Sequence, residues 1–143
     1  TYLVPFTIES VRQMLQSNCV VAVRHQGAIV AIAMGEIAEC VVDGNVITIS
    51  EISEVATHPD FQSKGLSHLA FRHLLTELRA KEIDLIFMEA RAASYGMMAV
   101  GWDGGLLPCG RLEQHCLISS PFSDVGQDSV YGDLVVFALP PQR

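Results

Sequence analysis

One stretch constrains this chain more than any other. Residues 46–57 read as a strand, the strand ends at His58-Pro59, and the loop Gln62-Ser63-Lys64-Gly65-Leu66-Ser67 opens directly into a long amphipathic segment. A loop of small residues at a helix start presents backbone N–H groups that no helical carbonyl can accept from, at the positive end of the helix dipole. Such a start seats a phosphate or pyrophosphate. The chain must therefore place a strand end and a helix start side by side, with a donor-lined loop between them.

The pattern around this unit sets the rest of the fold. Thr7 caps a short helix in which Ile8, Val11, Met14 and Leu15 share a face. Strands follow over 18–24 and 28–41, and Asp43-Gly44-Asn45 turns the second into the strand over 46–57. From about Ser63 to Lys81 the period is helical, with Leu66, Leu69, Ala70, His73, Leu74 and Leu78 on one stripe. A buried strand spans 84–90, a weaker helix 92–101, and two strands close the chain over 111–119 and 131–138. At 143 residues this is one domain, over 1–143, and the element order α-βββ-α-β-α-ββ makes it α+β with a mostly antiparallel sheet.

Composition removes several functions. A net charge of −7 argues against nucleic acid, whose binding needs Lys and Arg on phosphates. No apolar run is long enough for a membrane helix, and no signal peptide is visible. Cys19, Cys40, Cys109 and Cys116 form no C-x-x-C pair and read as reduced, buried thiols of a cytoplasmic protein. His68 and His73 are five apart on a helix, and Cys109, His115 and Cys116 fit no standard zinc spacing, so no metal is expected.

The loop lacks both common phosphate motifs, since neither G-x-x-x-x-G-K-[ST] nor G-x-G-x-x-G occurs. An antiparallel hairpin feeding Gln62-x-x-Gly65-x-Ser67 and a helix is what stands there instead. Together with Glu51-Ile-Ser-Glu-Val-Ala-Thr-His-Pro59 and the element order, this resembles the GNAT superfamily of acyl-CoA-dependent N-acyltransferases. The resemblance implies a splayed sheet flanked by helices, with acetyl-CoA or another acyl-CoA as co-substrate. Its pantetheine arm would lie against the main chain of Val55, Ala56 and Thr57, and its pyrophosphate on Gln62, Ser63, Lys64, Gly65, Leu66 and Ser67. Ser94 would reach the pantetheine. Compared with a complete GNAT domain, the first strand and helix are absent ahead of Thr1, so the chain is either the C-terminal part of a longer protein or a trimmed fold. An open sheet edge would favour a homodimer.

Aminolysis of a thioester needs a neutral amine, so a carboxylate or a water chain must take a proton. Backbone N–H groups would stabilise the charge that develops on the thioester oxygen. Glu51 aligns with the strand glutamate that several GNAT enzymes use, and Glu54 is the second candidate base. Strand alternation sets Glu51, Ser53, Val55 and Thr57 on one face and Glu54 on the other. Tyr95 is the candidate acid for the leaving thiolate. Further on, Ala90-Arg-Ala-Ala-Ser-Tyr-Gly-Met97 followed by Gly110-Arg-Leu112 is similar to the branch containing β-lysine N-acetyltransferases, which implies a small amine or amino acid as acceptor. Met98, Gly101 and Leu106 depart from that branch, and Gly101 stands where many GNAT enzymes carry an aromatic residue, often the acid tyrosine. Two rival readings stay open on these departures: a catalytically weak acyl-CoA-binding or protein-interaction module, and a β-rich oligomer scaffold.

Overall fold

The computed structural model describes residues 7–118 and 130–140. Residues 1–6, 119–129 and 141–143 lie outside the described residues. In chain order the elements are α1 (Ile8–Ser17), β1 (Cys19–His25), β2 (Ala28–Val42), β3 (Asn45–Thr57), a short 3-10 turn (Pro59–Phe61), α2 (Leu66–Ala80), β4 (Leu85–Arg91), α3 (Tyr95–Asp103), β5 (Leu107–Ile118) and β6 (Val130–Ala138). Thr7 caps α1 as expected, in a capping box with Ser10. Each of these matches a sequence expectation to within a few residues. The six strands form one sheet in the order β1-β2-β3-β4-β6-β5. All neighbours are antiparallel except β3 and β4, which are parallel over only four pairs, Ile49↔Leu85 to Ile52↔Met88.

The core lies between the sheet and α2. Ala70, Phe71, Leu74, Leu75 and Leu78 are the buried residues of α2, and they join Ala33, Ile52, Ile86, Met88 and Ala90 from the strands. Each of the Phe, Leu, Ile and Met side chains among them stabilises the fold by roughly 1.5–3 kcal/mol relative to exposure. The stripe expected from sequence is rotated by about one residue. Leu69 is exposed and His73 faces solvent, whereas Phe71 and Leu75 are buried. The cause is α3: its C-terminal Gly104 packs on Phe71 and Leu75, so the buried face of α2 widens toward that helix. The thiols also differ from expectation, since Cys19 is buried but Cys40 is only partly buried and Cys109 is exposed.

A single extra residue in β3 decides which side chains meet. Met34 pairs with Glu54 and the next residue, Gly35, pairs with Ile52, so Ser53 is a bulge. Directly paired residues share a face, which sets Ser50, Ile52, Val55 and Thr57 on the α2 side and Glu51, Glu54 and Ala56 on the other. The alternation expected from sequence is therefore corrected: Val55 and Thr57 do not share a face with Glu51, and Glu54 does. The bulge follows immediately on Ile52↔Met88, the last pair between β3 and β4. Beyond it the two strands part, and residues 53–57 have no strand partner on their β4 side among the described residues.

Candidate active site

The loop between β3 and α2 is built around two left-handed residues, Ser63 at φ 59° and Gly65 at φ 73°. A Cβ added at Gly65 would meet nothing within 4 Å, so glycine is required there by its backbone angle rather than by crowding. Gly65 caps α2 without any side-chain hydrogen bond. The first helical bond runs from Leu69 N–H to Gly65 C=O, at 3.0 Å. The N–H groups of Leu66, Ser67 and His68 thus precede the ladder. Gln62 differs from this set: its N–H already donates to Pro59 C=O at 3.3 Å, so the free donors begin after it.

These donors open on a cleft of about 330 Å³ lined by Thr57, Phe61, Gln62, Ser63, Gly65, Leu66, Ser67 and His68. Thr57, one of the lining residues, has its Oγ1 buried with no hydrogen-bond partner among the described residues, as have Ser50 and Ser53, which do not line the cleft. A buried hydroxyl without a partner is costly, and a polar ligand in the cleft would satisfy it. Lys64 is drawn away from the cleft mouth: its ammonium donates to Asp60 C=O at 2.9 Å and lies 4.8 Å from the centre of the Phe61 ring. Phe61 in turn packs on His25 and His58, which ties the loop to the end of β1. At the other end of the first turn of α2, His68 Nε2 lies 2.9 Å from Asp103 of α3.

On the opposite face of β3, Glu51 is partly buried where the parallel pairing ends. Burial pushes its carboxyl above the usual glutamate range, and the neighbouring charges of Glu89 and Glu36 push it further. A carboxylate held this way is a better proton acceptor than one in water. Sequence reasoning overlooked Glu36 and Glu89. The signal for Glu36 is the Asp43-Gly44 turn: counting outward from Val42↔Asn45, Glu36 falls opposite Glu51.

The third sequence-derived segment looks different. Ser94 begins α3 with no side-chain cap bond, its N–H donating to Arg91 C=O at 2.7 Å. Tyr95, the next residue, is 81% exposed. Trp102 is also exposed. Gly101 is buried, and a Cβ there would come within 2.7 Å of Met88 Sδ. Leu106, where the branch carries an aromatic residue, is fully buried.

The profile of the acetyltransferase (GNAT) domain matches residues 4–102. The chain belongs to the GNAT acetyltransferase family. N-acetyltransferase YodP of Bacillus subtilis (strain 168) is 33% identical over 70 residues, which is 49% of this chain and 26% of that protein. The match thus spans about a quarter of that relative's length. The ribosomal-protein-S18-alanine N-acetyltransferase of Escherichia coli superposes with a TM-score of 0.70 at 18% identity, over 97% of this chain and 79% of its own. A GNAT family acetyltransferase of Elizabethkingia anophelis, solved with acetyl-CoA bound, superposes with a TM-score of 0.66 at 12% identity, over 97% and 93%. These structures share the GNAT fold with this chain. Among its described residues no helix is long and apolar enough to cross a membrane.

Proposed function

We propose that this GNAT domain transfers acetyl from acetyl-CoA to the primary amine of a small molecule or amino acid, and that its acceptor resembles those of the β-lysine N-acetyltransferase branch. The observation that carries the reading is the build of β3. One strand holds a partly buried carboxylate, Glu51, at the point where the sheet parts, and leads into a loop with free N–H groups. The free edge of residues 53–57 is suited to the amides of a pantetheine arm, and the N–H groups of Leu66 to His68 to a pyrophosphate. Ser94, at the start of α3, would face the same arm.

In this reading the amine nitrogen forms a bond to the acyl carbon while Glu51 takes one of its protons. The C–S bond breaks and sulfur leaves with the electron pair. Glu54, on the same face, is the second candidate base. Isothermal calorimetry with CoA and acetyl-CoA, joined to a thiol-release assay over a panel of primary amines, tests the proposal. Turnover that is lost in Glu51→Gln with CoA binding kept supports it, and the absence of binding at millimolar ligand by folded protein would sink it. The same reading keeps a single domain over residues 1–143, a homodimer through the β1 edge and a cytoplasmic location as its expectations.

A second reading is favoured by one feature. Gly101 packs on Met88 and Tyr95 lies at the surface, an arrangement that suits a weak catalyst or an acyl-CoA-binding module. Calorimetric binding without turnover of any amine in the panel selects it.

A further inference from the structure

Glu51 sits in an unusual row of like charges. Glu36 is its direct partner on β2, which brings the two Cβ atoms to about 4.5–5.5 Å. On β4, Phe87 is the partner of Glu51, and Glu89 lies two residues on, on the same face. Pairs of this kind are destabilising in a sheet, because like charges directly opposite repel. The described strands offer little relief. The charged groups on this face around Glu51 are Glu36 from β2, Glu54 from β3 itself, and Glu89 and Arg91 from β4, while β6 beyond it presents Val136 and Ala138. Arg91 is exposed and lies beyond Glu89, at the open end of the splay. A row of three carboxylates across adjacent strands costs stability, and its effect falls on the one member that is both partly buried and central.

We propose that Glu36 and Glu89 are positioning residues for acyl transfer, closing on Glu51 from the two neighbouring strands so that its carboxylate is a stronger proton acceptor than a solvated glutamate. The inference rests on the reading of Glu51 as the base. The two flanking residues touch no reacting atom. They act through the repulsion that binding a proton on Glu51 relieves. As the amine nitrogen bonds to the acyl carbon and loses its proton to Glu51, three facing charges become two, and the relief favours the transfer.

Carboxyl-carbon NMR titration of the full chain tests this without reference to activity. The titration midpoint of Glu51 is expected to fall in Glu36→Gln and in Glu89→Gln, to fall further in the double variant, and to stay near wild type in Glu89→Asp, which keeps the charge. A midpoint unmoved in both glutamine variants overturns the proposal. All variants are also melted at pH 7. Removal of a repelling charge raises the melting temperature, whereas a purely structural role for either glutamate lowers it and counts against the idea. In the acyl-transfer assay, with acetyl-CoA and one amine held constant, the acidic limb of kcat moves to lower pH with the NMR midpoint, and the plateau drops severalfold at unchanged KM. A limb that stays fixed while Glu51→Gln is inactive overturns this inference alone. A fully active Glu51→Gln overturns the reading of the base instead, and the NMR midpoints still decide the electrostatic claim.

Discussion

The two helices that border the splay both begin without a side-chain cap, but on different backbones and with different surroundings. α2 starts at Gly65, in a left-handed backbone with no side-chain cap, and its first N–H groups are open. α3 starts at Ser94-Tyr95 with its tyrosine in solvent, and further along it a glycine is pressed against Met88. The first helix opens its N-terminus on a cleft, whereas the second keeps its tyrosine in solvent and has Met88 closing the space beside Gly101. Under the proposed function, the difference teaches that binding would be a backbone property and proton transfer a side-chain property. Glu51 and the loop into α2 both lie along β3 and its continuation.

That contrast can be broken at several points. The largest effect is expected at the base: Glu51→Gln should lower kcat by about 10²–10⁴-fold, the usual worth of a general base, with CoA affinity unchanged by calorimetry. Near-normal turnover in that variant would move proton transfer to Glu54 or to water. Next comes the contact between the two helices. In Gly104→Ala the new methyl would lie 2.5 Å from Phe71 Cε1 and 2.9 Å from Leu75 Cδ1. Overpacking of this kind costs about 1–3 kcal/mol, readable by urea denaturation. Gly101→Ala should cost less, because its sole contact under 3 Å is the flexible Met88 thioether. If both variants were equally harmless, α3 would not be the rigid partner described above.

Gly65→Ala tests the backbone side of the comparison. A Cβ in the left-handed region costs roughly 1–2 kcal/mol, so CoA affinity or loop stability should fall by about tenfold, measured by calorimetry and thermal shift. Unchanged affinity would show that the loop does not need its observed angle. A smaller effect lies in the pH dependence of stability. The Glu51 carboxyl is raised in the folded state, so the native protein binds more protons than the unfolded chain between the ordinary glutamate value and the raised one. Stability must then fall as pH rises through that window, and Glu51→Gln should flatten this fall and melt higher than wild type at pH 7. Tyr95→Phe is expected to do least, with activity within about twofold, since so exposed a hydroxyl has little hold on a buried reaction. A hundredfold loss would return α3 to the chemistry.

Much of this was legible before the fold was known, and for identifiable reasons. The Asp43-Gly44 turn, Pro59 and Gly65 are positions where backbone geometry dictates residue type, so they show in the letters. The helical period announced Ala70, Leu74 and Leu78. It could not announce Phe71 and Leu75, because their burial depends on where α3 docks. The bulge at Ser53 was invisible for a similar reason. Alternation in steps of two has no way to register an inserted residue, and one insertion was enough to bring Glu54 round to the side of Glu51 and turn Val55 toward the core. The carboxylate row needed a second piece of non-local information, the register of β4 against β3, which no turn connects.

The four parallel pairs between β3 and β4 have a mechanical meaning. They are the sole ladder joining the three-stranded half β1-β2-β3 to the half β4-β6-β5 among the described residues, and they end on Ile52 and Met88, both essentially buried. A pair of arms fixed at one end and open at the other is a lever, with these two side chains at its fulcrum. A substitution that changes volume at Ile52 or Met88 is therefore expected to shift residues 53–57 relative to β4.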